Sequence, residues 1–244
     1  MSTLFVSDLH LDAAWPRAIE QFLGFLDTAA PAAEALYVLG DLFEAWIGDD
    51  DPDPHRARVC EGLQRLTQRG IPCYVMHGNR DFLLHSGFEA RTGCQLLRDP
   101  TVIDLYGESV LLTHGDALCT RDRAYQHLRA IVRRPRWQRR FLRLSVATRR
   151  ALAEAARAGS RAHTGMQPGE IMDVTEGAVA AAMRACGTRL LVHGHTHRPA
   201  IHELELDGLS ARRIVLGAWY EQGSCLVWER GGYRLEQLGP GGPE

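Results

Sequence analysis

The chain of 244 residues is 45% hydrophobic and 24% charged, the proportions of an ordinary soluble globular protein. This length suits one large α/β domain, with or without an insertion. The sequence lacks an apolar run of about 18 residues and a basic amino-terminal segment with a cleavage site, so we expect neither a transmembrane helix nor a signal peptide. We therefore expect an intracellular protein. The six cysteines form no C-x-x-C pair, so we interpret them as reduced packing thiols rather than a disulfide frame or zinc knuckle.

The formal net charge of −2 conceals a strongly basic segment. The chain contains no lysine, so all 28 basic residues are arginine. Thirteen of them lie between Arg121 and Arg161, where the acidic residues are Asp122 and Glu154, and the segment carries a formal charge of +11. Such a segment in an otherwise acidic protein favours an anionic partner: phosphate, nucleic acid or a membrane surface. The alternative is a solvated charged face on ordinary core helices.

Strand-like and helix-like segments alternate over the first two thirds of the chain. Strands are predicted in TLFVSDLH, ALYVLGDLFE and IPCYVMHGNRD, with amphipathic helices in PRAIEQFLGFLDTA and PHRARVCEGLQRLTQRG between them. A short helix, FLLHSGFEARTG, ends at Gly93 and precedes the short strands QLLRD, TVIDLYG and ESVLLTHGD. The repeated β-α-β order predicts parallel strands with right-handed crossovers.

The basic stretch predicts an inserted helical segment. Its apolar residues recur at helical spacing from about residue 121 to 166, and Pro135 divides it into at least two helices. The next helix, IMDVTEGAVAAAMRACG, has its cap near Asp173 or Thr175 and Gly187 beyond its end. The remaining segments are predicted strands: RLLVHGHTH, AIHELEL, ARRIVLGAWYE, SCLVWERGG and YRLEQL. We expect an α/β core of residues 1–120 and 171–244 around a helical insertion of residues 121–170.

Five of the predicted strands end in carboxylate, amide or imidazole side chains. The motifs at these ends are Asp8-Leu-His10, Gly40-Asp41, His77-Gly-Asn79-Arg80-Asp81, His114-Gly-Asp116 and Gly194-His195-Thr-His197. Ligands of open α/β sheets bind beyond the carboxyl ends of the strands. Residues two apart on an extended segment point the same way, so His195 and His197 can face one point beyond the end of their strand. The pattern favours one shared site.

Each of these residues also has a simpler interpretation when taken alone. Asp8 is typical of a helix cap or turn, Asp41 of an Asx turn, Asn79 of a left-handed turn and His114 of a hydrogen-bonded core histidine. Their coincidence at the same strand ends favours metal ligation. Oxygen and imidazole ligands without thiolate favour Mn²⁺, Mg²⁺, Fe or Zn. Seven candidate ligands favour two ions about 3.5–4 Å apart, bridged by a carboxylate.

The ordered motifs D-x-H, G-D-x-x-E, G-N-R-D, H-G-D and G-H-T-H resemble those of the calcineurin-like metallophosphoesterases, from Phe5 to His197. Where that superfamily usually has G-N-H-D, this chain has Arg80 in place of histidine. Together with SDLHL, GDLFEAWIGDD and the basic insertion, this detail resembles the UDP-2,3-diacylglucosamine diphosphatases, a Gram-negative branch that acts in lipid A synthesis.

The resemblance implies a four-layer α-β-β-α sandwich in which residues 121–170 form a lid over the active site. It also implies two Mn²⁺ ions per chain. One ion would be held by Asp8, His10 and His197. The other would be held by Asn79, His114 and His195. Asp41 would bridge the two.

The resemblance further implies hydrolysis of the pyrophosphate of UDP-2,3-diacylglucosamine to UMP and 2,3-diacylglucosamine 1-phosphate, with Asn79, Arg80 and His195 as catalytic residues. The implied substrate contacts are Asn79, Arg80, Asp122, Ser160, Thr164, Gln167 and His195. Thr164 and Gln167 replace the family's common asparagine and lysine, and Arg161 is a candidate to supply the missing cation. Asp81 and Asp116 either orient metal-bound histidines or stabilise turns.

The partners implied are this lipid nucleotide and an anionic inner-membrane surface, with a monomer located peripherally on the cytoplasmic face and no nucleic acid. The basic segment alone leaves a nuclease or another nucleotide phosphoesterase open, and substrate preference separates these. A non-catalytic interaction protein would have lost ligands, whereas every expected position is filled here. The arginine-rich segment and G-N-R-D argue against a protein phosphatase.

Overall fold

The computed structural model describes residues 2–166, 171–220 and 223–239. Within these ranges the strands are β1 Thr3–Val6, β2 Ala35–Leu39, β3 Cys73–Met76, β4 Gln95–Leu97, β5 Thr101–Leu105, β6 Glu108–Thr113, β7 Leu190–His193, β8 Ala200–Leu206, β9 Leu209–Val215, β10 Gly223–Glu229 and β11 Gly232–Leu238. The α-helices are α1 Pro16–Thr28, α2 Pro54–Gln68, α3 Ser86–Thr92, α4 Arg123–Val132, α5 Pro135–Leu142, α6 Val146–Met166 and α7 Glu176–Cys186. Two short 3₁₀ helices lie at Ala30–Ala32 and Asp116–Leu118.

The strands form two sheets. The first has the order β11-β10-β1-β2-β3-β4, and β1 to β4 pair in parallel, as their alternation with α1 and α2 predicts. The second has the order β5-β6-β7-β9-β8, with β6, β7 and β9 parallel. The carboxyl ends of β1, β2 and β3 in one sheet and of β6 and β7 in the other precede the five motifs of the predicted site.

Apolar side chains pack the two sheets face to face and cover their outer faces with helices. Phe5 of β1 and Val192 of β7 lie in the core between the sheets. Phe22 of α1 packs on the outside of the first sheet, and Met183 of α7 packs on the outside of the second. Full burial of each such side chain contributes about 1.5–3 kcal/mol. The expected four-layer α-β-β-α sandwich is confirmed.

The basic segment forms α4, α5 and α6, and Pro135 begins the second of these helices. Arg149 of α6 is 1% exposed, and its guanidinium donates to the Ile47 carbonyl at 2.5 Å and to Asp50 Oδ1 at 2.8 Å. Arg150 pairs with Asp51 at 2.6 Å. These bonds anchor α6 to the loop after β2. None of the described helices has the length and apolar character needed to cross a membrane.

Candidate metal centre

Main-chain hydrogen bonds hold the loops after the five strands against one another. The Asp8 amide donates to the Gly40 carbonyl at 3.1 Å, and the His10 amide donates to the Asp41 carbonyl at 2.9 Å. Within the second sheet, the Gly194 amide donates to the His114 carbonyl at 2.9 Å, and between the sheets the Trp219 amide, after β9, donates to the Asp8 carbonyl at 3.1 Å. The loops of both sheets therefore meet as one unit, which brings together all seven candidate ligands.

Most of the candidate ligands adopt a left-handed backbone conformation. Five of the seven have positive φ: Asp8 (54°), His10 (49°), Asp41 (52°), His195 (68°) and His197 (56°). Such a conformation is uncommon outside glycine and costs of order 1–3 kcal/mol per residue, so the surrounding structure must impose it. Asn79, for which a left-handed turn was the simpler interpretation, is not among the residues with positive φ.

Asp8, His10 and His197 form the first candidate group. One ligand atom of each lies within 4.8 Å of the others. The Nε2 atoms of His10 and His197 are 3.3 Å apart, and His197 Nε2 lies 3.4 Å from Asp8 Oδ1. Asp8 Oδ1 is buried and accepts no hydrogen bond from the described residues. A buried anionic oxygen beside two imidazole nitrogens fits a divalent cation.

Asp41 lies between this group and the second one. Its Oδ2 is 3.7 Å from His10 Nε2 and 3.8 Å from His114 Nε2, an almost central position. Asn79 Oδ1 lies 3.0 Å from His114 Nε2 and 2.8 Å from His195 Nδ1. The arrangement suits a bridging carboxylate with an amide and two imidazoles beyond it.

Hydrogen bonds to one polar atom of Asp8, Asp41 and His114 leave the other polar atom facing the site. Asp8 Oδ2 accepts from the Ser7 hydroxyl at 2.5 Å and the His195 amide at 2.8 Å, so Oδ1 faces His197. Asp41 Oδ1 accepts from the Arg80 amide at 2.8 Å, which leaves Oδ2 toward the histidines. His114 Nδ1 donates to the Leu39 carbonyl at 2.9 Å and presents Nε2.

Glu44 orients His10 in the same way, and sequence reasoning assigned it no role. Its Oε2 lies 2.9 Å from His10 Nδ1, so an Nδ1–H tautomer donates to it and Nε2 remains a ligand atom. The signal available in the sequence was the glutamate three residues after Asp41 in G-D-x-x-E.

The charges of the site are strongly coupled. Burial lowers the pKa of His114, but the carboxylates of Asp41 and Asp8 outweigh burial and raise it to about 9. Burial raises the pKa of Asp8, but the adjacent imidazole of His197 outweighs burial and holds it well below its ordinary value. Burial, with the charge of His114, lowers the pKa of His195 to about 4. The carboxylates thus create a negative field that attracts protons when no other cation compensates them.

Asp81 and Asp116 stabilise loops and do not hydrogen-bond a ligand imidazole among the described contacts. Asp81 accepts from the Leu42 and Gly78 amides, both at 2.8 Å, and so joins the loops after β2 and β3. Burial and the charge of Asp41 raise the pKa of Asp81 to about 6. Asp116 accepts from the Tyr125 hydroxyl at 2.6 Å. For Asp81 the structure favours the turn-stabilising alternative.

The predicted substrate-contact residues lie in different environments. Arg80 is partly buried, and its Nε has no hydrogen-bond partner among the described residues. Asp122 is buried and caps α4 by accepting from the Tyr125 amide at 2.9 Å. Ser160 is exposed on α6. Gln167 lies outside the described residues, as does the side chain of Thr164, so their contacts stay predictions.

Removing the Glu44 carboxylate is expected to weaken metal binding at His10. Substitution of a partner that orients a ligand typically lowers metal affinity about 10–100-fold, so we expect a loss of this size for Glu44→Ala. Calorimetric titration of Mn²⁺ into the metal-free chain measures it. Glu61→Ala, at an exposed position on α2, is the matched control. Equal affinities for the two variants would contradict the orienting role.

Comparison with known proteins identifies the class of this chain. The family model described as calcineurin-like phosphoesterase matches residues 1–199, and the chain belongs to that family. The motif-based resemblance is therefore confirmed, and membership implies a divalent metal site, for which the groups around Asp8 are candidates.

Relatives of similar length share one name, "UDP-2,3-diacylglucosamine hydrolase". The protein of Aeromonas hydrophila subsp. hydrophila is 53% identical over 238 residues, 97% of this chain and 98% of the relative. That of Pseudomonas aeruginosa (strain UCBPP-PA14) is 53% identical over 234 residues, 96% of this chain and 98% of the relative. That of Stenotrophomonas maltophilia is 49% identical over 245 residues, with coverages of 98% and 99%.

Proposed function

We propose that this chain hydrolyses the pyrophosphate bond of UDP-2,3-diacylglucosamine to UMP and 2,3-diacylglucosamine 1-phosphate, a step of lipid A biosynthesis. The observation that carries the proposal is the 53% identity, over 97% of the chain, to a relative named for hydrolysis of this substrate. Convergence of all seven candidate ligands on the strand ends supports it, because a phosphoester hydrolase of this family requires such a site.

Two Mn²⁺ ions are the proposed cofactor. Asp8, His10 and His197 would hold the first ion, and Asn79, His114 and His195 the second. Asp41 would bridge them, and the Arg80 amide, which donates to its Oδ1, would hold this carboxylate in place. Divalent ions bound there would lower the pKa of water to near neutrality and neutralise phosphate oxygens.

Arg80 is the proposed electrostatic catalyst. Its main-chain amide is fixed by Asp41, and the Trp46 amide donates to its carbonyl at 3.1 Å. The Arg80 side chain therefore projects from a loop whose backbone is held in place beside the metal ligands. A planar guanidinium can bind a phosphoryl group with two parallel hydrogen bonds, and it would stabilise charge developing on those oxygens. Asn79 and His195, which hydrogen-bond one another, would orient the phosphate at the second ion.

The lid would supply an apolar surface for the acyl chains. Trp137 and Phe141 of α5 stack with ring centroids 5.0 Å apart, and Trp137 also lies 6.2 Å from the ring of Phe82, two residues after Arg80. The contact of these rings with Phe82 supports an apolar surface near the proposed phosphate site. A nuclease has no need of such a surface, which favours the lipid substrate.

The decisive assay is UMP release from UDP-2,3-diacylglucosamine, with Mn²⁺ and after chelation, beside bis-p-nitrophenyl phosphate as a simple diester. We expect fast cleavage of the lipid nucleotide that requires Mn²⁺ and slow cleavage of the diester. Cleavage of the diester without the lipid nucleotide would retain the metal site and overturn the lipid A assignment. Undiminished activity after chelation, with the loss of bound metal verified, would overturn the metal mechanism.

We also propose that the lid holds the protein on the anionic cytoplasmic face of the inner membrane. Arg134, Arg136, Arg139 and Arg140 are exposed around α5, and Leu144 beside them is 40% exposed. Each basic residue near an anionic surface contributes about 1 kcal/mol. Arg133 lies in the same basic segment, but its guanidinium donates to the Gly78 carbonyl.

Replacing the four exposed arginines by serine is expected to release the protein from vesicles. The loss of about 4 kcal/mol predicts a fall in vesicle affinity of roughly three orders of magnitude at low salt. Sedimentation with vesicles containing anionic phospholipid measures it. Four exposed arginines outside the lid, replaced together by serine, provide a control of equal charge: Arg65, Arg69, Arg98 and Arg230. Equal release of both variants would contradict a lid-specific membrane contact.

A further inference from the structure

One face of α4 and its carboxyl end contact the loops that carry the second ion's proposed ligands. Tyr125, Arg129 and Arg133 follow one another at spacings of four residues, which places them in a row along the helix. The Tyr125 hydroxyl donates to Asp116 Oδ2 at 2.6 Å, and Arg129 Nε donates to the same oxygen at 2.8 Å. Asp116 is fully buried and lies two residues after His114. The row thus holds the loop after β6.

Arg133 joins that loop to the loop after β3. Its Nη2 donates to the Gly78 carbonyl at 2.8 Å and lies 3.6 Å from Asp116 Oδ2. Its guanidinium also lies 5.5 Å from the centroid of the Phe82 ring, close enough for a cation–π contact. One guanidinium therefore contacts residues on both sides of the Asn79–Arg80 pair as well as the carboxylate beyond His114.

Gly78 is tightly packed, so the hydrogen bond from Arg133 to its carbonyl also constrains the position of Asn79. Its amide donates to Asp81, and a Cβ at this position would overlap the carboxylate of Asp41. The peptide carbonyl that Arg133 holds is the one that connects Gly78 to Asn79. A hydrogen bond to this carbonyl therefore fixes the backbone position from which the Asn79 side chain projects.

The contacts of the row are confined to one half of the proposed centre. Besides the bonds beside Asn79 and His114, the ring of Tyr125 lies 6.1 Å from that of His195, at an angle of 27°. Among the described residues, no hydrogen bond, ion pair or ring contact joins Tyr125, Arg129 or Arg133 to Asp8, His10 or His197. Because the described contacts of the row lie beside the ligands of the second ion alone, its loss should weaken the binding of that ion, whereas a general loss of structure would weaken the binding of both.

We propose that Arg133 is a positioning residue for the second metal ion. This proposal rests on the proposed function. It adds that the lid helps to position the metal ligands as well as to cover the metal centre. The guanidinium fixes the loop of Asn79 and, through Asp116, the loop of His114. Its loss leaves the ligand side chains present and loosens their common geometry.

The test measures metal binding by the full-length chain rather than catalysis. Mn²⁺ is titrated by calorimetry into the metal-free wild type, Arg133→Met and the neighbouring control Arg134→Met. The side chain of Arg134, which lies between α4 and α5, donates to the Ala130 carbonyl of α4. We expect wild type and control to bind two ions. For Arg133→Met we expect one ion at wild-type affinity and the second bound 10–100-fold more weakly, about the loss typical of substituting an orienting partner.

Electron paramagnetic resonance of the variants, recorded at the same amount of added Mn²⁺ per chain, gives a second measure of metal binding. Wild type and control should show the spectrum of two coupled Mn²⁺ ions, and Arg133→Met the spectrum of an isolated ion. Arg133→Lys, which keeps the charge and one donor, should restore part of the second affinity and serves if Arg133→Met does not fold. Two ions at wild-type affinity in both Arg133 variants would overturn the proposal, as would an equal weakening of both ions.

The wild-type titration separates this proposal from the proposed function. A wild type that binds one ion would overturn both. Two ions without hydrolysis of UDP-2,3-diacylglucosamine would overturn the substrate assignment and leave the role of Arg133 to be decided by the titration.

Discussion

Asp41→Asn is expected to remove the bound metal and to lower UMP release by more than about 10³-fold. That exceeds the loss of about 10²–10³-fold seen when one preorganised donor is removed from an active site, because both ions share this carboxylate in the proposed centre. Asparagine retains an oxygen that accepts from the Arg80 amide, as Asp41 Oδ1 does at 2.8 Å. With that oxygen at the Oδ1 position, asparagine places its NH₂ group at the Oδ2 position, where it cannot replace the anionic ligand.

Metal content after dialysis and UMP release under saturating Mn²⁺ together measure this effect. Asp27→Asn is the matched control, because Asp27 lies on α1 with 48% of its side chain exposed and pairs with Arg65 at a distance of 3.8 Å. We expect the control to retain metal and activity. Thermal unfolding of both metal-free variants shows whether the fold is intact. A folded Asp41→Asn chain that keeps two ions and more than a tenth of its activity would overturn the bridging assignment.

Arg80→Met is expected to lower kcat by about 10²–10³-fold while metal content stays at the wild-type value. The substitution removes the guanidinium, and the backbone amide that fixes Asp41 remains. The metal ligands therefore keep their geometry, and the transition state loses a positive charge. Arg80→Lys should recover part of kcat, since an ammonium supplies charge without the planar pair of donors.

The control for Arg80 is Arg98→Met, at an exposed position before β5. Steady-state kinetics with UDP-2,3-diacylglucosamine separate kcat from KM, and elemental analysis gives the metal content. A rise in KM with unchanged kcat would assign Arg80 to uniform substrate binding rather than to catalysis. Loss of metal in step with activity would show that the residue acts on the ligands.

The parallel strands and the loops that follow them were predictable from local patterns. Apolar runs followed by glycine and polar residues predict β1, β2, β3, β6 and β7, and the structure has all five. The seven candidate ligands follow from the same observation, since strand ends are where α/β sheets bind ligands. Their individual metal roles stay predictions, carried by the family resemblance and by the geometry described above.

Other parts of the site were not predictable, for different physical reasons. Glu44 carries no periodic signal, and its role depends on a 2.9 Å contact with His10, 34 residues away. In the sequence, Arg133 and Arg149 are not distinguishable from the other arginines of the basic segment. Folding makes Arg149 an anchor on the Ile47 carbonyl and brings Arg133 to the Gly78 carbonyl. Charge alone does not distinguish a solvated arginine from one that satisfies a backbone carbonyl.

The sequence by itself determined the parallel strands that lead to the site and the residue types at their ends, because strand periodicity, glycine turns and ligand chemistry are local properties. The four-layer sandwich followed from the family resemblance. The tertiary structure decided which atom of each ligand faces the site. Asp8 Oδ2 is held by the amide of His195, 187 residues later, and that bond leaves Oδ1 for His197. Such orientation depends on bonds between distant loops, which exist after the two sheets have packed and which no local pattern encodes.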